Sequence, residues 1–314
     1  MRRFSHILGP LLGVALLLIA IVVLYQKLSI LSLQDIRASL HRIPSSHIAI
    51  SVVLTALYYV LITAYDTLSF RVIGHPLPYG KVALAAFTGY ALSHNIGLTA
   101  LSSGSVRYRV HSSFGLTAKE SAKVIAFSSL SFWVGFLAVS AFTFLLIPIR
   151  NHSLTFLPPD TLRIFGFVSL GLLMLYGWYA LFSRHGKAVG TYTLPRLTPK
   201  IFALQVLIGS LDWILAASIV FILLPKADIG LFPQFFGMFV LAQVSGLLSQ
   251  VPGGIGVFEG IMILLLPKHS TRAMIIGVLL IYRAIFYIVP LIVATVLLAT
   301  HEVRLTAKKI KKIS

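Results

Sequence analysis

The chain has 314 residues, of which 58% are hydrophobic and only 11% are charged, and its mean hydropathy of +0.94 excludes an ordinary soluble domain. Its 26 Lys and Arg residues outnumber its 8 Asp and Glu residues, so the net charge is +18. In a membrane protein this excess indicates orientation and attraction to anionic lipids, and we expect no nucleic-acid partner. The absence of Cys excludes disulfides and thiolate metal sites.

A membrane-spanning helix needs about 20 apolar residues. Six uninterrupted runs come close to or exceed that length: 7–25, 47–66, 122–147, 163–182, 201–224 and 272–299. Arg2 and Arg3 precede the first run and no small-residue cleavage site follows it, which predicts a retained helix rather than a removed signal. We therefore expect an all-α polytopic membrane protein with about six full transmembrane helices.

Two further apolar segments, 80–101 and 233–266, are interrupted. The first contains three polar or flexible residues: His94, Asn95 and Gly97. The second contains a proline and glycine run: Pro252, Gly253, Gly254 and Gly256. Lipid tolerates non-helical backbone only where protein or a wet cavity satisfies the freed N–H and C=O groups. The two segments therefore predict broken helices that line a cavity.

The distribution of positive charge decides how these broken segments lie in the membrane. If each crosses once, Lys and Arg divide 12 to 13 between the two sides, without a bias. If each leaves on the side where it entered, 17 lie in the cytoplasm and 8 outside. The positive-inside rule favours the second arrangement. It predicts two re-entrant hairpins, the first from the cytoplasm and the second from the outside, with both termini cytoplasmic.

Opposite insertion of two broken helices suggests an inverted repeat. Residues 92–97 align with residues 248–253 at a constant offset of 156, about half the chain. Secondary transporters are often built in this way, with the substrate site at the breaks. We expect one membrane domain over 1–314, with approximate halves 1–150 and 151–300 and a basic cytoplasmic tail at 301–314.

Glu259 and Arg283 form one candidate charged pair. Arg283 lies near the middle of the last apolar run, where an unpaired cation costs at least about 2.5–3.5 kcal/mol. Glu259 lies just past the second break, at a similar expected depth. Two interpretations stay open: a structural clamp between the hairpin and the last helix, or contact with substrate.

Arg107 and Arg109 follow the first break. The forked donors of arginine suit phosphate oxygens, and a half-helix start adds backbone N–H groups to an anion site. The alternative is that both residues anchor the chain at headgroup level.

Two further acids lie in or beside apolar runs. Asp212 is near mid-depth in its run, where an acid can pair with arginine, relay protons or bind a cationic headgroup. For Asp66, near Arg71 and the cytoplasmic boundary, we expect a local ion pair.

Four polar residues beside the breaks, His94, Asn95, Gln243 and Gln250, could bind the phosphate and glycerol oxygens of a lipid. The alternative is that they satisfy freed backbone groups. No His and acid spacing suggests zinc, so we expect neither a metal nor another cofactor.

Three stretches resemble a known family: Asn95–Gly135 with Gly-Ser-Val-Arg-Tyr-Arg-Val at 104–110, Ser249–Glu259, and Tyr282–Tyr287. They are similar to the membrane domain of bacterial lysylphosphatidylglycerol synthase/flippase proteins. In two-part members this domain translocates aminoacylated phosphatidylglycerol made by a cytosolic synthase domain. The resemblance implies a stand-alone relative without the synthase domain, in the bacterial inner membrane, for which lipid movement is implied and lysyl transfer is not.

The sequence therefore favours a lipid flippase or transporter over an enzyme. It would move a phospholipid, with aminoacylated phosphatidylglycerol as one candidate, through a polar cavity at the broken helices. A membrane-embedded lipid-modifying transferase is the first alternative, disfavoured because no base and oxyanion constellation stands out. The second alternative is a non-transporting scaffold for a lipid synthase partner. The sequence leaves the oligomeric state undetermined.

Overall fold

The structure is a computed structural model that describes residues 43–96, 99–147, 159–182, 188–189, 192–193, 197–224, 228–249, 251–266 and 272–310. The expected first span at 7–25 lies outside these ranges, as do Gly97 and Gln250. Within them the fold is helical, apart from a two-residue antiparallel ladder that pairs Ala188 with Thr193 and Val189 with Tyr192. The all-α class is thereby confirmed.

The first described helices, in chain order, are α1 (Ser45–Val72), α2 (Tyr79–Ile96), α3 (Thr99–Ser113), α4 (Ala118–Leu146) and α5 (Pro159–Phe182). The ladder, β1 (Ala188–Val189) and β2 (Tyr192–Thr193), precedes α6 (Pro199–Leu223), a 3₁₀ turn (Ile229–Leu231) and α7 (Phe232–Leu248). A second 3₁₀ turn (Pro252–Gly254) leads to α8 (Val257–Leu265), and α9 (Arg272–Arg283) continues through a π-helical turn (Ala284–Ile288) into α10 (Val289–Ile310).

Within the described ranges six helices are long and apolar enough to cross a membrane: Ser45–Val72, Ala118–Leu146, Asp160–Phe182, Pro199–Leu223, Ile229–Leu248 and Met274–Ala307. Five of them match expected runs, and the remaining one, Ile229–Leu248, is the first arm of the second broken segment. The expectation of about six such helices is confirmed, and the protein is a multi-pass membrane protein. The last helix runs on to Ile310, so much of the expected basic tail is helical.

The first broken segment folds into a helical hairpin, α2–α3, named here the first hairpin. Its helix continues through Ile96, so the expectation that His94 and Asn95 interrupt it is wrong. Their low helix propensity costs less than about 1 kcal/mol each, and Asn95 Nδ2 donates to the carbonyl of Ala91 at 2.9 Å within the same helix. The residues that follow the first hairpin lie at the same end of the helix bundle as the residues that precede it. His75 Nδ1 lies 3.0 Å from Glu120 Oε1, and Lys81 Nζ lies 5.1 Å from the ring centre of Phe114.

The second broken segment folds into the second hairpin, α7–α8. Between its arms the glycines adopt positive φ angles: 64° at Gly253, 62° at Gly254 and 82° at Gly256. Residues with a Cβ rarely adopt such angles, so the predicted break is confirmed and its glycines are required by the backbone. The arms then run back alongside each other, with the rings of Phe239 and Phe258 5.8 Å apart.

Both hairpins have the folded-back shape that re-entrance requires. Helix packing alone does not place the bilayer, so re-entrance stays a prediction, as does the division into inverted halves.

Close packing fixes the position of α4 in the helix bundle. A Cβ on Gly135 of α4 would lie 2.3 Å from the Cα of Gly209 of α6, so these helices cross backbone against backbone. The start of α4 is fixed by a capping box, in which Thr117 Oγ1 accepts from the backbone N–H of Glu120 at 3.2 Å and Glu120 Oε2 accepts from the backbone N–H of Thr117 at 2.9 Å. The crossing of α4 and α6 and the first turn of α4 are therefore fixed by direct contacts.

Candidate functional site

A cavity of about 480 Å³, named here the central cavity, lies between the first hairpin, the long helices and the second hairpin. Its polar lining comes from five helices and includes Tyr58, Tyr90, His94, Arg107, Asp212 and Gln243. Aromatic side chains supply much of the remaining wall: Phe132, Trp133, Trp213, Phe239, Tyr282, Phe286 and Tyr287. A few converging polar groups in a largely apolar cavity are typical of a binding site.

Arg107 is the cation of the central cavity and is only 2% exposed. Its Nη1 donates to Asp66 Oδ1 at 2.6 Å and to Ser128 Oγ at 2.8 Å, and the guanidinium lies 4.6 Å from the ring centre of Tyr90. Its Nε is buried and has no hydrogen-bond partner. The guanidinium is therefore held in place by a carboxylate while one of its donors stays unused.

The pairing of Asp66 corrects the sequence prediction. Its partner is Arg107 on the first hairpin rather than Arg71 on its own helix. Arg71, one turn further along α1, is exposed, while Asp66 is fully buried on the inner face. A buried carboxylate needs a cation that is buried with it, which Arg71 cannot provide.

Asp212 is the second acid beside the central cavity, and it differs from Asp66. It is 4% exposed and lines the cavity, and the phenol of Tyr65 donates to its Oδ2 at 2.8 Å. The described residues form no ion pair with it. The cavity thus presents one neutralised guanidinium and one carboxylate with a neutral donor.

His94 lies in the aromatic wall of the central cavity. Its ring stacks on Phe286 with the centres 5.8 Å apart, and its Nδ1 lies 3.4 Å from the hydroxyl of Tyr59. Among the described residues no acid contacts it, so the arrangement of a general base is not formed there.

Glu259 and Arg283 form an ion pair, as the sequence predicted. Arg283 Nε donates to Glu259 Oε1, and its Nη1 donates to the carbonyl of Gly253 at 3.0 Å. The other carboxylate oxygen of Glu259 accepts from the backbone N–H of Gly256 at 2.7 Å. The pair therefore holds backbone groups that the second break frees. These contacts are those of the structural clamp, and contact with substrate stays a prediction.

The pair borders a smaller cavity of about 240 Å³, named here the side cavity. Half of its ten lining residues are aliphatic: Ile255, Ile276, Leu279, Leu280 and Ile288. Tyr287 lines both the side cavity and the central cavity, so one ring forms part of the partition between them.

Asn95 and the π-helical turn meet at this partition. In the π-helical turn the backbone repeat lengthens to five residues, which frees carbonyl groups and is frequent at functional sites. Asn95 Nδ2 donates to the carbonyl of Tyr287 at 3.2 Å, and Tyr59 donates to the carbonyl of Phe286 at 3.2 Å. Asn95 thus satisfies freed backbone, which was one of its two predicted roles.

Arg109 lies apart from the central cavity. It is 8% exposed, and its Nη2 donates to Glu302 Oε2 at 2.5 Å, joining the first hairpin to α10. The two arginines predicted to act together are therefore separated: Arg107 lines the cavity and Arg109 does not.

Sequence reasoning missed several residues of the site: Tyr58, Tyr65, Tyr90, Ser128 and Gly89. A Cβ on Gly89 would lie 2.5 Å from Cγ of Arg107, so this glycine makes room for the arginine stem. Tyrosines in apolar helices beside an acid could have indicated the network, since a buried phenol needs a partner. The described residues contain no group of three or more His, Asp and Glu side chains that could hold a metal ion.

Comparison with known proteins gives a family match over most of the chain. Residues 11–294 match the family described as the lysylphosphatidylglycerol synthase TM region. The match spans both hairpins and both cavities.

Individual relatives fall into two groups. The protein slr0712 of Synechocystis is 34% identical over 96% of this chain and 94% of its own length, and the inner membrane protein YbhN of Escherichia coli is 30% identical over 81% of each. A phosphatidylglycerol lysyltransferase of Staphylococcus aureus is 24% identical over 98% of this chain, which covers 36% of that enzyme. The chain therefore resembles two relatives over most of their length and the transferase over about a third.

Proposed function

The chain belongs to the family of lysylphosphatidylglycerol synthase transmembrane regions, and on that premise we propose that it is a lipid flippase or transporter. It moves a phospholipid between the leaflets of a bacterial inner membrane, with the headgroup passing through the central cavity. Both termini lie in the cytoplasm, as the charge distribution favours.

One observation carries this proposal: two buried side chains of opposite charge, Arg107 and Asp212, line the same cavity inside a bundle of span-length helices. Ionisable residues at membrane depth are costly and are commonly part of a substrate or ion pathway. A phosphodiester can accept from the guanidinium of Arg107 where it lines the cavity, and an amine can approach Asp212. A headgroup that carries both charges, such as aminoacylated phosphatidylglycerol, suits this pair of groups.

The relatives supply a second line of support. The transferase that matches this chain acts, by its name, on phosphatidylglycerol, and the matched portion is the membrane region of that family. The described lining of the central cavity lacks the paired nucleophile and base of a transferase, because His94 contacts aromatic rings and a phenol. Movement of a lipid therefore fits better than modification of one.

The test is leaflet exchange in liposomes. The full chain is reconstituted with fluorescently labelled phosphatidylglycerol or labelled lysyl-phosphatidylglycerol, and a membrane-impermeant quencher reports the outer-leaflet fraction over time. We expect faster exchange than in protein-free liposomes. Exchange no faster than in protein-free liposomes, with both lipids, would overturn the proposal.

A matched pair of variants tests the role of Arg107. Arg107→Lys keeps the charge but loses the forked geometry, so we expect exchange to fall about tenfold. Arg109→Lys makes the same chemical change outside the central cavity, where Glu302 remains its partner, and should retain exchange. Equal exchange by both folded variants would remove Arg107 from the headgroup site.

A further inference from the structure

The side cavity has a wall that does not suit a headgroup. Five of its ten lining residues are aliphatic, and the charged groups at its border are already paired. Glu259 uses both carboxylate oxygens within the protein, on Arg283 and on the backbone of Gly256. Arg283 Nη2 and Asn95 Oδ1 have no hydrogen-bond partner, but both atoms are buried and so do not present a polar surface.

An apolar cavity of this kind is filled by apolar groups or stays empty. Water needs two to four polar partners, which this wall does not offer. In a bilayer the surrounding medium is hydrocarbon, so filling the cavity brings packing contacts rather than removal of apolar surface from water. A hydrocarbon chain is therefore the chemistry that fits.

Two features connect the side cavity with lipid and with the central cavity. On the outer side, Ile276 lines the cavity and is 45% exposed, so the cavity reaches the surface of the helix bundle. On the inner side, the ring of Tyr287 borders both cavities. A phospholipid with its headgroup in the central cavity would have hydrocarbon chains beside this partition.

We propose that the side cavity binds an acyl chain of the lipid whose headgroup occupies the central cavity. The proposal rests on the proposed function and adds a second subsite to it. The Glu259–Arg283 pair then has a defined place: it closes the backbone of the second break, so that the cavity beside it presents hydrocarbon rather than free peptide groups.

Photocrosslinking tests this subsite without measuring transport. The full chain in liposomes is irradiated with a phosphatidylglycerol that carries a diazirine in one acyl chain, and adducts are located by mass spectrometry. We expect adducts on Ile276 and Leu280 that saturate as the mole fraction of probe rises and that fall when unlabelled phosphatidylglycerol is added at fixed probe. Adducts on Leu175, which is 66% exposed on α5, should rise linearly because they report surrounding lipid.

A cavity-filling variant gives the matched comparison. Leu280→Phe adds volume inside the side cavity and should lower the adducts on Ile276 at least fivefold while leaving those on Leu175 unchanged. Leu264→Phe makes the same change at a side chain that is 59% exposed and lines neither cavity, and it should behave as wild type. Adducts on Ile276 that rise linearly in wild type, or that persist in folded Leu280→Phe protein, would overturn the subsite.

The result separates the two proposals. Saturable adducts on Ile276 without leaflet exchange would keep the acyl subsite and overturn lipid movement. Leaflet exchange with linear adducts would keep lipid movement and overturn the subsite.

Discussion

At each hairpin one arginine that lines a cavity is paired with a carboxylate, and the two pairs lie in different surroundings. On the first hairpin, Arg107 bonds only side chains, and the side chains of Arg107 and Asp66 are 2% and 0% exposed. On the second, Arg283 bonds a carboxylate and a backbone carbonyl, and the side chains of Arg283 and Glu259 are 10% and 21% exposed. The first pair belongs to the wall of a cavity, while the second closes a broken backbone.

This contrast follows from how each hairpin is broken. The second break contains three glycines at positive φ and leaves peptide groups that need partners, which Glu259 and Arg283 supply. In the first hairpin the described arms are helical up to Ile96 and from Thr99 onward, and the described partners of Arg107 are the side chains of Asp66, Tyr90 and Ser128. Arg107 therefore lines the cavity through which we propose that the headgroup passes.

The largest expected effect is in cysteine labelling, which tests the opposite insertion of the two hairpins. Each position should label from one side of the membrane and not from the other. In this Cys-free chain, a cysteine at Ser112 should label only from the cytoplasm, and one at Ile229, 77% exposed before the second hairpin, only from the outside. The charge distribution is the reason. Impermeant maleimide on oriented vesicles provides the measurement.

Three further positions act as controls for the labelling. Ser183 and Ser153, which lie outside the described residues, should label from the cytoplasm and from the outside respectively. Leu172, in the middle of α5 and 49% exposed, should label from neither side because it faces lipid. Labelling of Ser112 from the outside would contradict re-entrance of the first hairpin.

The next largest effect concerns the fully buried pair. Asp66→Asn leaves Arg107 buried without a counter-charge, so we expect a loss of about 3–5 kcal/mol in stability. The double variant Asp66→Asn, Arg107→Gln should recover part of that loss but not lipid exchange. Melting temperature in detergent measures the first effect and leaflet exchange the second.

Asp160→Asn is the matched control, because Asp160 is exposed at the start of α5. It should change the melting temperature little. If the melting temperature of Asp66→Asn equals that of Asp160→Asn, Asp66 does not compensate the charge of Arg107.

A smaller effect is expected at the second pair. Its side chains are partly exposed and their hydrogen bonds involve charged groups, so Glu259→Gln should cost about 1.5–3 kcal/mol. Arg283→Gln added to it should restore part of that stability, since the uncompensated charge is then gone. The melting temperatures of the two single variants and the double variant form a double-mutant cycle. Strict additivity in it would show that the two side chains do not interact.

The comparison also shows what the sequence could predict. The second break, its glycines and the Glu259–Arg283 pair were predictable, because proline, glycine and charge are conspicuous in an apolar run. The partner of Asp66 was not, since Arg107 lies 41 positions away and only the tertiary fold brings the two side chains together. The pairing of Tyr65 with Asp212 escaped for the same reason: a buried phenol indicates that it has a partner, but the two residues lie 147 positions apart, so the sequence does not say which acid it contacts.

The smallest effect distinguishes two uses of glycine. In the first hairpin, Gly89→Ala forces a methyl group to within 2.5 Å of Arg107, so we expect a loss of about 1–3 kcal/mol and a weakened headgroup site. Gly80→Ala, in the same helix with nothing within 4 Å, should be neutral or slightly stabilising. In the second hairpin, Gly253→Ala should cost about 1–2 kcal/mol through its positive φ angle.

Asparagine separates crowding from backbone strain, because it tolerates the left-handed region better than alanine does. Gly253→Asn should therefore be more stable than Gly253→Ala, while Gly89→Asn should be less stable than Gly89→Ala, since a larger side chain increases the clash with Arg107. Melting temperatures of the four variants give both rankings. The same ranking at both positions would mean that the two glycines serve one purpose, and the contrast between a cavity wall in the first hairpin and a closed backbone in the second would not hold.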